Sequence, residues 1–211
     1  MGKISLTIDG KKIKAREGEK VLWAALANGI YIPNLCALRD KETPSASCRL
    51  CWVEVKGRAV TACTTTVEDG MVVNTKGAKA QRLARTALEL LLASNEVDCA
   101  NCPANGACEL QKIAAHLKVR LNTKRFRKIL RELPIDDSSP DFTYDPNKCV
   151  LCGRCIWVCR SQNIGALGFA HRGFKRRMTT FGDEPMAKSN CQDCAQCVAV
   201  CPTGALVLKK A

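Results

Sequence analysis

Cys149, Cys152, Cys155 and Cys159 are spaced C-x2-C-x2-C-x3-C, and Cys191, Cys194, Cys197 and Cys201 repeat the run with Pro202 behind the last. Three thiolates so close together wrap a loop around three irons of a cubane. In two-cluster arrangements the fourth Cys, on the following helical turn, reaches the other cubane. The pattern therefore predicts one [4Fe–4S] cluster on Cys149, Cys152, Cys155 and Cys201 and a second on Cys191, Cys194, Cys197 and Cys159. The first run continues Cys159-Arg160 where the second has Cys201-Pro202, a departure that leaves ligation intact. Zinc is the competing reading, but zinc sites favour C-x2-C pairs set well apart.

Seven further Cys precede this repeat. Cys36, Cys48, Cys51 and Cys63 are spaced C-x11-C-x2-C-x11-C. Thiolates on one loop and on the strand behind it suit a flat [2Fe–2S] core, although the spacing is looser than the plant-type C-x4-C-x2-C start. Cys99, Cys102 and Cys108 follow C-x2-C-x5-C. They suit three irons of a [4Fe–4S] cluster and leave the fourth without a thiolate, because all 15 Cys of the chain are then assigned.

The thiol count fits a reducing compartment. The start, MGKISLTIDGKK, has no apolar core of the kind a signal peptide carries, and no apolar run approaches a membrane span. An odd number of Cys would strand one thiol in an oxidised protein, so a cytoplasmic, metal-binding chain is expected. The formal charge of +13 over 211 residues counts every Cys as neutral. Thiolates contribute about −15 and four oxidised cores about +8, which leaves a folded protein near +6. The basic excess then largely offsets cluster charge, and with few aromatics for stacking no nucleic-acid partner is expected.

The elements that must position these residues are legible in outline. Residues 4–8 alternate as a strand, Asp9-Gly10 turns into a second, and Glu19 to Asn28 reads as a helix closed by Gly29. A second hairpin is expected about Gly57-Arg58, and Met71 to Asn74 as a last short strand. Ala78 to Ala93 has a broad apolar helical face, and another helix is expected over CELQKIAAHLKV. Residues 122–148, basic, then acidic and bearing Pro134, Pro140 and Pro146, read as a wrapped connection. A hairpin over ALGFAHRGFKRRMTTF separates the two Cys runs, and the repeat marks its own module.

The stretches CRLCWVEVKGRAVTACTTTVEDGMVVNT and CANCPANGACELQ resemble a known family. It includes the N-terminal part of the large iron–sulfur subunit of complex I and the small diaphorase subunit of NAD-reducing hydrogenases. The N-terminal arm of iron-only and electron-bifurcating hydrogenases also belongs to it. The resemblance covers essentially the whole chain. It implies an α+β chain with a β-grasp [2Fe–2S] ferredoxin-like domain over 1–77 and a helical three-Cys [4Fe–4S] segment over 78–121. A connection over 122–148 and a two-cluster ferredoxin domain over 149–211 complete it. The family usually supplies a His to the middle cluster four residues before its first Cys. Here that position is Asn95, and Glu96, Val97 and Asp98 bring no imidazole either. Asn95, a carboxylate from Asp98 or Glu96, His116 folding back, and water all stand as candidates, as does a [3Fe–4S] cluster. Carboxamide oxygen is a poor iron ligand beside imidazole or thiolate.

The resemblance implies a non-catalytic electron relay. Its partners would be a flavin- and NAD(P)-binding iron–sulfur subunit and a hydrogenase of diaphorase or bifurcating type, with ferredoxin as a further partner. A formate dehydrogenase, a transhydrogenase or a complex I-like NADH dehydrogenase is the alternative setting. The chain shows no GxGxxG and no acid–base constellation, so no catalytic residue is proposed. Rivals from other classes are a zinc-dependent nucleic-acid binder and an enzyme binding substrate at the open middle iron. Anaerobic purification is expected to yield about 14 iron atoms per chain. About 13 would mark a three-iron middle cluster, and zinc in their place would end the iron–sulfur reading.

Overall fold

The computed structural model describes residues 2–209. The chain divides into two compact units, one running up to Glu89 with Ile113–Val119, the other comprising Leu90–Lys112 and everything from Arg120 onward.

The first unit is built on a five-stranded mixed sheet of order β2-β1-β5-β3-β4. Strands β1 (Lys3–Ile8) and β2 (Lys11–Arg16) pair antiparallel through Asp9-Gly10, whose φ values of 49° and 80° make the two-residue turn that matches strand twist. Helix α1 (Val21–Ala27) buries Val21, Leu22, Ala24 and Ala25 among Leu6, Ile8, Ile13, Val53 and Val73 of the sheet. Strands β3 (Trp52–Val55) and β4 (Arg58–Thr61) form the second hairpin. Its turn is centred on Lys56-Gly57, with φ of 49° and 72°, one residue before the expected Gly57-Arg58. Gly57 takes the second left-handed position, and the Val55↔Arg58 register follows from that. Strand β5 (Val72–Asn74) runs parallel to β1 and antiparallel to β3, which completes a β-grasp sheet.

Helix α2 (Ala78–Ala93) and helix α3 (Glu109–Leu117) follow, and the unit boundary falls within each of them. The start of α2 is capped from a distance. Glu54 Oε1 on β3 accepts from the backbone N–H of Lys79 at 2.9 Å and of Ala80 at 3.2 Å, satisfying two of the donors a helix start leaves open. Gly77 makes room for it, since a Cβ there would meet the Glu54 carboxyl group at 2.2 Å.

In the second unit, residues 122–148 are tied down along their length. Lys128 Nζ donates to Leu92 O at 2.6 Å, and Asn147 exchanges side-chain bonds with Leu133 N and O. The Arg131 guanidinium donates to Ser94 O, Pro146 O and Cys149 O. The stretch also holds a strand that sequence reading missed. β6 (Phe142–Tyr144) pairs antiparallel with β9 (Leu206–Leu208). Helix α4 (Arg154–Ser161) carries the last two Cys of the first run, and β7 (Leu167–Ala170) and β8 (Arg177–Thr180) form the expected hairpin. The short helix α5 (Gln196–Ala199) belongs to the second run. The core gathers Phe142, Tyr144, Ile156, Val158, Leu167, Met178 and Leu206 with the Cys side chains.

Glu54→Ala is expected to cost about 1 to 2 kcal/mol, the value of a lost helix cap. Glu54→Gln, which keeps an acceptor and loses only the charge–dipole contribution, should cost about 0.3 to 1 kcal/mol. Urea denaturation of the holoprotein, followed by far-UV circular dichroism, measures both.

Candidate iron–sulfur sites

In the first unit the β3–β4 hairpin sets two of the four thiols side by side. The Trp52↔Thr61 register brings Cys51 opposite Ala62, whose N–H donates to Cys51 O at 2.8 Å, and Cys63 follows directly. Cys51 and Cys63 share a side-chain hydrogen bond that pulls the Cys63 thiol down and pushes Cys51 up. The other two thiols come from the loop before the hairpin. Cys36 Sγ lies 3.4 Å from Cys48 Sγ, and the backbone N–H groups of Leu35 and Cys48 point at these sulfurs from 3.5 Å. Cys36 is pulled down to about 5 by the hydrogen bond from Cys48, and Cys48 is pushed up by the same bond. All four thiols are buried. The loop that carries Cys48 needs left-handed backbone at Ala46 and Arg49, with φ of 47° and 54°.

The second unit holds the repeated runs, and the repeat extends to the backbone. Leu151 and Gly153 in the first run have φ of 54° and 76°. Asp193 and Ala195, at the matching places in the second, have 47° and 52°. Left-handed residues cost roughly 1 to 2 kcal/mol each outside glycine. They turn successive N–H groups inward, the concave arrangement that binds anions and iron–sulfur cores. Leu151 N–H reaches Cys149, Arg154 N–H reaches Cys152, and Asp193 N–H reaches Cys191.

Cys201 acts electrostatically on Cys149, Cys152 and Cys155, and Cys159 acts on Cys191 and Cys197. Cys201 therefore lies near the first three Cys of the first run, and Cys159 near Cys191 and Cys197 of the second. Cys159 sits on α4, four residues after Cys155. Cys201 was expected on a helical turn but lies beyond α5 and its C-cap Val200, because Pro202 disfavours helix in the residue before it. Arg160, in the matching place, lets α4 continue to Ser161. Burial is the largest influence on these thiols. It pushes Cys152 and Cys197 up to about 12, and raises Cys149, Cys155 and Cys191 as well. Tyr144, buried beside Cys149 and Cys155, is pushed up by burial and by those thiolates, and its hydroxyl donates to Met178 O at 2.9 Å.

The middle site lies in the same unit. Cys99, Cys102 and Cys108 share a cavity with Asn95, Asp98, Lys148 and Gly204. Burial pushes Cys108 up, against backbone N–H groups of Gln111 and Leu110. Residues just after Cys201 form the opposite wall. Pro202 O accepts from Glu109 N at 3.0 Å and lies 3.9 Å from Cys108 Sγ. A Cβ on Gly204 would meet Cys102 Sγ at 2.5 Å, so only glycine lets that sulfur approach. Lys148 Nζ pairs with Asp145 at 2.8 Å. Burial works against its charge, but Asp145, Cys102 and Glu96 hold it above the usual lysine range.

The candidates for the fourth ligand separate here. Asp98 is exposed, and Asn101 binds its carboxylate through Nδ2 at 2.7 Å and holds it below the usual carboxylate range. His116 stacks edge-on against Tyr31 at 4.8 Å within the first unit. Asn95 is 1% exposed and its Oδ1 has no hydrogen-bond partner. The orphaned oxygen and the glycine cradle at Cys102 both fit a bulky inorganic group among these thiols. Among the described residues no three His, Cys, Asp or Glu side chains close on one point.

The comparisons with known proteins agree with this geometry. Residues 2–78 match a 2Fe-2S iron-sulfur cluster binding domain, and residues 85–122 match the NADH-ubiquinone oxidoreductase-G iron-sulfur binding region. Residues 148–205 match a 4Fe-4S dicluster domain. The chain therefore carries one [2Fe–2S] and three [4Fe–4S] clusters. The NADP-reducing hydrogenase subunit HndD of Solidesulfovibrio fructosivorans is 39% identical over 98% of this chain, which spans only 36% of that relative's length. The HoxS subunit gamma of the NAD-reducing hydrogenase of Cupriavidus necator is 30% identical over 98% of this chain and 88% of its own length. A chain in the crystal structure of an NAD+-reducing [NiFe]-hydrogenase in the H2-reduced state superposes with a TM-score of 0.90. It is 33% identical, with 99% of this chain and 88% of that one covered.

Gly204→Ala is expected to remove the middle cluster alone. Iron should fall from about 14 to about 10 per chain, with the signals of the other clusters intact. Iron analysis and EPR of the dithionite-reduced protein measure it.

Proposed function

The chain belongs to the family of iron–sulfur subunits that includes the gamma subunit of NAD-reducing hydrogenase, and from that premise we propose that it is a non-catalytic electron relay. It would work within an NAD(P)-linked oxidoreductase complex, of hydrogenase type. A flavin-bearing, NAD(P)-binding subunit would stand at one end and the hydrogenase subunit at the other. A cytoplasmic location is consistent with fifteen free cysteines. No helix among the described residues is long and apolar enough to cross a membrane.

The observation that carries this reading is the strip from Cys201 to Gly204. At one end the charge of Cys201 acts on Cys149, Cys152 and Cys155, and Cys201 would supply their cubane's fourth thiolate. The other end is packed on Cys102 of the middle site, with Pro202 O against Cys108 in between. Two cluster sites that share four consecutive residues favour electron passage between them. The third site in this unit is close as well, since the charge of Cys197 acts on Cys155.

The proposed ligand sets follow these groupings. Cys36 with Cys48 and Cys51 with Cys63 would each hold one iron of the [2Fe–2S] core. Two sulfurs bound at about 2.3 Å to one tetrahedral ion lie about 3.8 Å apart, close to the separation of the first pair. Cys149, Cys152, Cys155 and Cys201 would hold one cubane, and Cys191, Cys194, Cys197 and Cys159 the other. The proposed domains are 1–77, 78–121 with the connection 122–148, and 149–211. The clusters supply one-electron redox chemistry. The protein sets their potentials through N–H donors, burial and nearby charge. Lys148 is placed for the last of these, lining the middle site with Cys102, whose charge acts on it.

Co-expression with an NAD(P)H-oxidising flavoprotein of the same complex tests the relay. The clusters should be reduced by NAD(P)H only when that subunit is present. Direct reduction of the isolated chain by NAD(P)H would sink the reading. Lys148→Met is expected to shift the middle cluster's potential negative, on the order of tens of millivolts, because a positive charge favours the reduced core. An EPR-monitored redox titration measures it.

A further inference from the structure

The middle site has three thiols and four irons to hold, and its walls offer few other donors. Gln111 is engaged at both ends, its Oε1 accepting from Gly106 N and its Nε2 donating to Asn105 Oδ1. The Thr203 hydroxyl donates to Lys148 O, Lys148 is a cation paired with Asp145, and Asp98 is held at the exposed rim by Asn101. Asn95 remains, together with the exposed carboxylate of Glu96.

Asn95 is set apart by how it is held. Its Nδ2 donates to Leu91 O at 2.7 Å, in the last turn of α2. A carbonyl accepts only from the nitrogen end of an amide, so this bond decides which way the carboxamide faces. Oδ1 is the other end, fully buried, without a hydrogen-bond partner, on a residue that lines the cavity. A buried carbonyl left unpaired costs roughly 1 to 3 kcal/mol, and native proteins seldom keep one without a use. An acceptor oxygen has nothing to donate to a cluster sulfide. What it can meet in an iron–sulfur site is an electropositive iron.

We propose that Asn95 Oδ1 is the fourth ligand of the middle [4Fe–4S] cluster, giving that cubane one iron bound by a neutral oxygen. The proposal rests on the relay reading for the presence of a cubane there and adds the identity and chemistry of its odd ligand. A carboxamide is a weaker, harder donor than thiolate or imidazole. The oxygen-bound iron is therefore the most easily lost of the four. Ferricyanide would take one electron from the [4Fe–4S]2+ core, and the resulting 3+ core would release Fe2+ to leave [3Fe–4S]+.

The test uses the anaerobically purified holoprotein and its Asn95→Ala, Asn95→His and Glu96→Gln variants, treated with ferricyanide and followed by iron release and EPR. Asn95→Ala should lose the fourth iron at least about tenfold faster than the parent, the low end of what removing a metal-site partner costs. Asn95→His should retain it longer than the parent. It should also show imidazole nitrogen coupling to the reduced middle cluster in ENDOR spectra. Glu96→Gln should match the parent. Should Asn95→Ala fail to assemble any cluster, the Asn95→His coupling decides, and its absence overturns the proposal. Parental EPR and iron release in Asn95→Ala also overturn it, as does an Asn95→Ala-like change in Glu96→Gln. A parent lacking a third cubane by iron count and EPR would instead overturn the underlying assignment.

Discussion

A thiolate buried in protein must be given a partner for its charge, and this chain meets that requirement many times over. Burial alone drives Cys149, Cys152, Cys155 and Cys197 toward the neutral thiol. Only a polynuclear cation with N–H donors around it makes the deprotonated form the stable one. The loops are shaped by that need. Left-handed backbone at Leu151, Gly153, Asp193 and Ala195 is unfavourable in itself, and it turns the amide groups toward the sulfurs. Helices α4 and α5 begin directly after these turns, and strands β6, β7, β8 and β9 frame them.

The two units solve the problem by different constructions. In the first, a hairpin places Cys51 and Cys63 side by side, and a loop with its own left-handed residues delivers Cys36 and Cys48. Sheet hydrogen bonding does the positioning. In the second, compact loops do it, and Cys201 and Cys159 each act on thiols of the opposite run. In the proposed ligand sets that exchange would tie the two runs together, each site drawing one thiol from the other half of the repeat.

Cationic side chains complete the electrostatics. Arg131 spans three carbonyls, one of them that of Cys149, and its charge favours the Cys149 thiolate. Lys148 is held in place by Asp145 while the Cys102 thiolate adds to its charge stabilisation. Part of the formal charge of +13 is therefore placed where cluster charge must be offset. Both residues lie in or beside the stretch 122–148, which is a structural part of the cluster-bearing unit as well as a connection.

The sequence by itself determined the cluster types and nearly every strand and helix, and it gave the grouping of the Cys that the proposed ligand sets use. Cys spacing reports loop size directly, and apolar periodicity reports helix and strand faces. Asp9-Gly10 marked its turn because Gly suits a left-handed position. Lys56-Gly57 was misplaced by one residue because a Lys at the first left-handed position carries no local signal. Strand β6 was missed because three residues show no period, and its identity comes from pairing with β9, some sixty residues away. Asn95 shows the same limit at the site itself. Sequence placed it among several candidates for the middle cluster. Only the fold buries its oxygen, ties its nitrogen to Leu91 and turns Asp98 to Asn101, because hydrogen-bond competition is settled in three dimensions.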